Sequence, residues 1–265
     1  SLMVSLQNDL STSFYYTTNG DVPNNNDQIY TGPLFFNQTT VLSVKSLGDE
    51  NWLPSKSIDR TYIINEDNHN LPVFSVFTDS INLWDNEQGL YVFGSSAAWD
   101  YPFYGSNFWQ PWSRRSRLEY FSSDQIKQAE EEFDLEIHGG WSRAEPQKSF
   151  RFDFKSEYTG KLNWPVIPEK DFIEDFNNIN LRNGGQHTYS DKIQDAIISR
   201  VAQQTHVDNM AYQPCILYLN GSYWGIYGIR EKIDEHYIED NFGYDDSEVD
   251  LLNSWTTLAG SDTHF

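Results

Sequence analysis

Two short runs with a two-residue rhythm constrain the fold of this chain most strongly. In Phe133-Asp134-Leu135-Glu136-Ile137 apolar and charged residues alternate, and in Phe150-Arg151-Phe152-Asp153-Phe154-Lys155 they alternate again. Successive side chains of a strand point to opposite faces, so each run is a strand with one apolar and one charged face. Gly139-Gly140-Trp141-Ser142-Arg143 turns the chain between them, giving a hairpin with a glycine-bearing, basic tip. A second hairpin is signalled by Cys215 to Leu219, Asn220-Gly221 and Tyr223 to Ile229. Asn-Gly supplies the two positive φ values that a type I′ turn requires.

The first segment, to about Ile64, reads as short strands separated by turns: Phe14 to Thr18, Thr40 to Lys45 and Thr61 to Ile64. No helix-period segment occurs there, and a small β-sandwich is expected over residues 1–65. The polar run Asn65 to Asn70, ended by Leu71-Pro72, marks a domain boundary, with the second domain over 71–265. Val73 to Thr78 opens that domain as a buried strand. Ser190 to His206 is expected to be a helix, with Ser190 as its cap and Ile193, Ile197 and Val201 on one face. Glu231 to Phe242 is expected to be another, stopped by Gly243. The fold class expected is therefore α+β.

Charge narrows the function classes. The 265 residues carry 18 Lys+Arg against 39 Asp+Glu, a formal charge of −21. Nucleic-acid and anionic-membrane binders need cationic surface, so neither partner is expected. No run of about 18 apolar residues exists to span a bilayer. With 17 Phe, 16 Tyr and 9 Trp the chain is not a disordered one. Its one cysteine, Cys215, excludes an internal disulfide and any Cys-based zinc site. Scarce Cys and Met beside many Tyr, Trp and Asn suit an extracytoplasmic protein whose leader is absent from this sequence. The six histidines never fall three or four apart, so a His-led metal site is not expected.

The chemistry-bearing candidates concentrate between His138 and Arg151. Gly139 and Gly140 let backbone approach a ligand, and consecutive amides in such a turn cradle phosphate oxygens. Arg143, Lys148 and Arg151 add positive charge there. An ordinary hairpin turn with solvated bases accounts for the same residues, and the Walker spacing is absent. Leu181-Arg182-Asn183-Gly184-Gly185 is a second glycine turn, or simply a strand end. Glu231 stands at a strand-to-helix junction, where it either pairs with a lysine or only favours the helix dipole. The aromatics from Trp99 to Trp112 read either as a sugar-stacking platform or as a loop burying its own rings. No catalytic carboxylate pair can be singled out.

Taken together, these stretches resemble the CotH kinase family, named after spore-coat protein H. The resemblance rests on Gly139 to Arg143, then Pro146-Gln147-Lys148-Ser149-Phe150-Arg151, then Leu181 to Gly185, Tyr218 to Tyr227 and Arg230 to Asp234. Asn107 to Gln110 before Arg114-Arg115, and Leu71 to Phe74, fit the same pattern. The N-terminal segment is similar to modules related to the chitobiase/β-hexosaminidase C-terminal domain, through Tyr15 to Asp21, Tyr30 to Pro33 and Pro54-Ser55. The resemblance implies the N-lobe-like part of an atypical protein-kinase-like fold that binds ATP with Mg and phosphorylates Ser or Thr of a protein at the bacterial cell envelope. It places Gly139, Gly140, Arg143, Lys148 and Arg151 around the phosphates, with Asp195 or Glu231 orienting the lysine. Family members carry a catalytic Asp and a metal-binding Asp further downstream, in segments not found before Phe265. The expectation is thus a truncated domain with no catalytic residue of its own and an unknown metal site. The rival expectation is a non-enzymatic surface module that binds a protein or a glycan.

Overall fold

A computed structural model describes residues 1–7, 13–48, 53–67, 70–158 and 160–263. Its N-terminal part holds β1 (Leu2–Val4), β2 (Phe14–Thr17), β3 (Gln28–Ile29), β4 (Leu34–Phe36), β5 (Thr40–Ser46) and β6 (Ile58–Tyr62). These form one antiparallel sheet in the order β3-β2-β5-β6 and a ribbon of β1 with β4. The sandwich expected for this segment is corrected accordingly. The polar run expected as a boundary is described except at Asn68 and His69, which lie outside the described residues.

Beyond it the chain builds a closed barrel. Its strands are β7 (Val73–Phe77), β8 (Ser113–Phe121), β9 (Lys127–His138), β10 (Ser149–Asp153), β11 (Asn178–Arg182), β12 (Gln213–Leu219) and β13 (Ser222–Arg230). The order around the barrel is β10-β11-β13-β12-β7-β8-β9, with β9 and β10 paired to close it. All pairs are antiparallel except β7 with β12. A hairpin of β14 (Leu251–Asn253) and β15 (Thr256–Ala259) follows near the C-terminus.

Helix is scarce: α1 (Ser80–Trp84), α2 (Gln194–Ala202) and α3 (Glu235–Phe242). The α+β, N-lobe-like class expected from the sequence is therefore overturned; the chain is mostly β, organised around a seven-stranded barrel. The reason lies in β8 and β9. Ser116, Leu118 and Tyr120 alternate inward along β8 while Arg115, Arg117 and Glu119 take the other face. That rhythm lies hidden in a segment dense with arginine. β9 runs for 12 residues and pairs with β8 on one side and β10 on the other.

The barrel interior is the core. Phe74 and Val76, Leu118 and Tyr120, Phe133 and Leu135, Phe150 and Phe152, Ile179 and Leu181, Leu217 and Ile229 are all buried in one cluster. Phe152 touches Phe133 at 4.4 Å between ring centroids and stands edge-on to Phe74 at 5.7 Å. Cys215 is fully buried there as a small apolar residue, and burial pushes its thiol far up. On the outside of β7 and β12, Val73, Ile216 and Tyr218 pack under Ile63, Leu71 and Phe121.

The N-terminal sheet is tied to this barrel by charge. Arg117 pairs with the buried Asp59 and donates to the Gly20 carbonyl at 2.9 Å. Glu119, 1% exposed, accepts from the Thr61 amide at 2.5 Å and from Lys127 at 3.1 Å. Asn220, in the predicted I′ turn with φ of 51° beside Gly221 at 79°, exchanges two hydrogen bonds with the Thr78 backbone.

α2 is shorter than expected and turned over. It begins after Ile193 with no side-chain cap, so Ser190 plays no part. Ile197 and Val201 stand 54% and 61% exposed, whereas Ala196 and Ser199 face the barrel. The arginines of the outer barrel wall need acceptors, and Asp195 and Ser199 supply them.

α3 starts four residues later than the sequence suggests, because Asp234 caps it by accepting from the Tyr237 amide at 3.1 Å. Gly243 ends it at φ 73°, as expected. Burial pushes the Asp240 carboxyl up to about 6, with Asp175 and Glu239 adding to the rise against Lys161 and His236. A carboxyl raised in the folded state favours folding while protonated, and that contribution is lost as pH climbs from about 4 through 6. Asp240→Asn is thus expected to melt higher than the parent at pH 7 and together with it at pH 4. Equal melting temperatures at both pH values would refute this.

Candidate functional site

Two glycine turns meet across one cleft. The first begins where β9 ends at His138: Gly139 has φ 113°, a conformation open to glycine, and a Cβ there would lie 2.6 Å from Ser142 Oγ. The turn Trp141–Ala144 follows. The second leaves β11 at Arg182, and Gly184 and Gly185 take φ 97° and 59°. Both turns, with His138, Ser142, Glu145, Ser149, Arg182, His187 and Asp195, line a cleft of about 1020 Å³ rimmed by Tyr101 and Trp141.

Asn183, 1% exposed, fastens the two turns together. Its Oδ1 accepts from Ser149 Oγ at 2.9 Å and from the Gly185 amide at 2.8 Å, and its Nδ2 donates to the Gln147 carbonyl at 2.5 Å. Ser149 Oγ in turn accepts from the Asn183 amide at 2.9 Å. The register of β10 against β9 and β11 places Ser149 between the turns.

Among the described residues the cleft lining holds one cation, Arg182, and two carboxylates, Glu145 and Asp195. Arg182 is paired with Asp195 at 3.6 Å. His138 is pushed down to about 3, first by burial and then by Arg151, Arg182, Arg143 and Lys232. Its ring is therefore neutral at physiological pH. Nδ1 lies 3.0 Å from Arg151, and a guanidinium can only donate, so Nδ1 accepts and the ring proton sits on Nε2. The amides of Gly140, Trp141 and Ser142 meet no acceptor among the described residues.

The sequence-selected residues divide. Gly139, Gly140 and Asp195 line the cleft. Arg143 folds back to donate to the carbonyls of Gly139 at 2.6 Å and Phe108 at 3.2 Å. Lys148, 4% exposed, lies beneath the turn and donates to the carbonyls of Arg143 at 2.7 Å and Glu145 at 3.0 Å. Its ammonium sits 3.9 Å over the Phe108 ring, and burial pushes it down to about 8. Arg151 lies behind His138, near Glu136 and Asn180. The expected pairing of the lysine with Asp195 or Glu231 does not form. Asp195 faces Arg182 and Arg230, and Glu231 holds Lys170 at 2.7 Å.

In the sequence Arg182, Gly184 and Gly185 read as a glycine turn or a strand end, and His138 as the start of the first turn, with no role assigned to either. Their signal is the second glycine pair, which gains meaning once β11 is placed beside β10. The aromatic loop does not form a stacking platform. Trp109 and Trp112 pack against the core, and Trp99 alone is fully exposed.

Residues 135–261 match the family model described as CotH kinase protein. No curated protein matches the chain. The matched stretch supplies every lining residue of the cleft except Tyr101. Over residues 135–261, a little under half of its length, the chain is similar to the CotH kinase protein family.

Proposed function

We propose that the cleft binds the phosphates of ATP and that the chain is part of a protein Ser/Thr kinase acting outside the cytoplasm. The observation that carries this reading is the convergence of two glycine turns, Arg182 and a neutral His138 on one cleft. Open amides at Gly140, Trp141 and Ser142, the Arg182 fork and the His138 Nε2 proton are all donors, the set an anion needs. ATP supplies the phosphoryl group, and catalysis of its transfer rests on positioning and on charge stabilisation. This chain's residues provide the first of these, holding the phosphates between the turns. The lining offers a metal the carboxylates of Glu145 and Asp195 and the imidazole of His187, since His138 is engaged by Arg151. Glu145 accepts from Tyr101 at 3.0 Å and Asp195 faces Arg182, so the residues fit phosphate oxygens better than a cation held by protein alone. The acceptor is a Ser or Thr hydroxyl of an envelope protein. No helix among the described residues is long and apolar enough to cross a membrane.

Calorimetric titration with Mg-ATP and with adenosine tests the reading. ATP is expected to bind at least about tenfold tighter than adenosine, which lacks the phosphates, a difference of about 1.4 kcal/mol. Equal affinities, or no ATP binding, would overturn the phosphate assignment.

A further inference from the structure

A second chemical site lies in the acidic stretch that follows β13. From Arg230 onward the chain carries ten acids against two Lys+Arg. On α3, His236 and Glu239 are three residues apart and so share a face. Gly243 ends the helix in the left-handed conformation and the chain reverses into the turn Asp246–Glu248. Asp245 caps that turn by accepting from the Ser247 amide at 3.0 Å, which fixes Asp246 against the helix. One imidazole nitrogen and two carboxylate oxygens, from His236, Glu239 and Asp246, then lie within 4.8 Å of one another.

The imidazole gives an independent sign that something belongs between these groups. His236 Nδ1 is 3.2 Å from Asp246 Oδ2, yet it is shielded from solvent and makes no hydrogen bond. Distance alone suggests an ion pair, but the ring does not align with that oxygen. A buried nitrogen left so is costly, and a cation accepting its lone pair removes the cost.

We propose that His236, Glu239 and Asp246 bind a divalent first-row ion of the Zn²⁺ or Mn²⁺ class. The chemistry of the donors selects the class. One imidazole with two carboxylates suits these ions, whereas Ca²⁺ and Mg²⁺ prefer oxygen alone. Donors around tetrahedral zinc stand about 3.4 Å apart, given bond lengths of about 2.1 Å. The His236–Asp246 pair already meets that spacing, and Glu239 is exposed and free to close the remainder. The His236 and Asp246 side chains are 26% and 37% accessible, so the cluster lies near the surface although Nδ1 itself is shielded. None of the three lines the glycine-turn cleft, so the inference stands independently of nucleotide binding.

The test uses the whole chain after treatment with a chelator, titrated with Zn²⁺, Mn²⁺ and Ca²⁺ separately. One Zn²⁺ or Mn²⁺ per chain is expected, with a rise in melting temperature and a shift of the His236 ring resonances. Affinity should fall at least tenfold in His236→Ala and in Asp246→Asn, the latter changing one partly exposed carboxylate without changing its size. Glu248→Gln, an acid in the same turn outside the triad, should bind as the parent does. Absence of binding, binding unaltered in Asp246→Asn, or Ca²⁺ binding as tight as Zn²⁺ would each overturn the assignment.

Discussion

Glu231→Ala is expected to cost about 3–5 kcal/mol of stability, the usual penalty for stranding one partner of a buried ion pair. Folded domains hold about 5–15 kcal/mol in all, so this variant should be partly unfolded at ordinary temperature. Glu231 is 4% exposed and accepts four hydrogen bonds from three groups in different parts of the chain. Both of its oxygens accept from Lys170, at 2.9 and 2.7 Å. One also accepts from the Ala211 amide at 2.8 Å and the other from Asn241 at 2.9 Å. Removing the carboxylate leaves the Lys170 ammonium, whose side chain is 13% exposed, with only Asn241 and the face of Tyr237. Urea unfolding measures the loss. The pair Glu231→Ala with Lys170→Met should recover much of it, since no buried charge then remains unpaired. If Glu231→Ala unfolds at the parent's midpoint, Glu231 is not the hub described here.

The second large effect concerns ligand, with the fold left intact. Arg182→Ala should weaken ATP binding by about 10–100-fold, corresponding to the roughly 1.5–3 kcal/mol carried by hydrogen bonds to charged groups. Its side chain is 34% exposed, and its ion-pair partner among the described residues is Asp195, at 3.6 Å. Asp195 keeps Arg230 at 3.9 Å when Arg182 is gone, so folding should hardly change. Arg182→Lys should restore only part of the affinity, because an ammonium lacks the planar fork that matches phosphate oxygens. Lys148→Ala is the informative contrast. Lys148 holds the first turn from below and does not line the cleft, so its loss should act by loosening the turn and lower both affinity and stability. Undiminished ATP binding by Arg182→Ala would remove the arginine, and with it the cleft, from the phosphate assignment.

Individual strands, though not their closure into a barrel, were legible where one physical signal dominated. Alternating apolar residues marked β10 and the second half of β9, and Asn220-Gly221 marked the β12–β13 turn to the residue. β8 escaped because two arginines and a glutamate sit on its outer face, where ion pairs with Glu132, Asp59 and Lys127 replace the polar solvent face that a strand usually shows. The length of α2 was overestimated for the opposite reason. Its isoleucines satisfied a helical period, but the side that docks is the one carrying Asp195 and Ser199. In the site, spacing along the chain could nominate glycines and bases but not their directions. Whether Lys148 points into a cleft or under a turn is decided by Phe108 and Tyr91, residues about 40 and 57 positions away whose rings flank the ammonium. The metal-ligating triad escaped because only one of its members is a histidine. The helix reversal that joins it to two carboxylates lies in folded geometry, not in spacing.

The charged seam under the N-terminal sheet also bears on how this chain can be divided. A cut at the polar run before Leu71 would separate two regions of different sequence character, but it would pass through shared buried polar contacts. Arg117 would lose both its carboxylate and its carbonyl partner, and the Thr61 amide would leave Glu119, which is otherwise sealed from water. The barrel's seam would then have to admit solvent. The N-terminal sheet and the barrel thus share buried polar partners across that boundary, and each completes the other's hydrogen bonding.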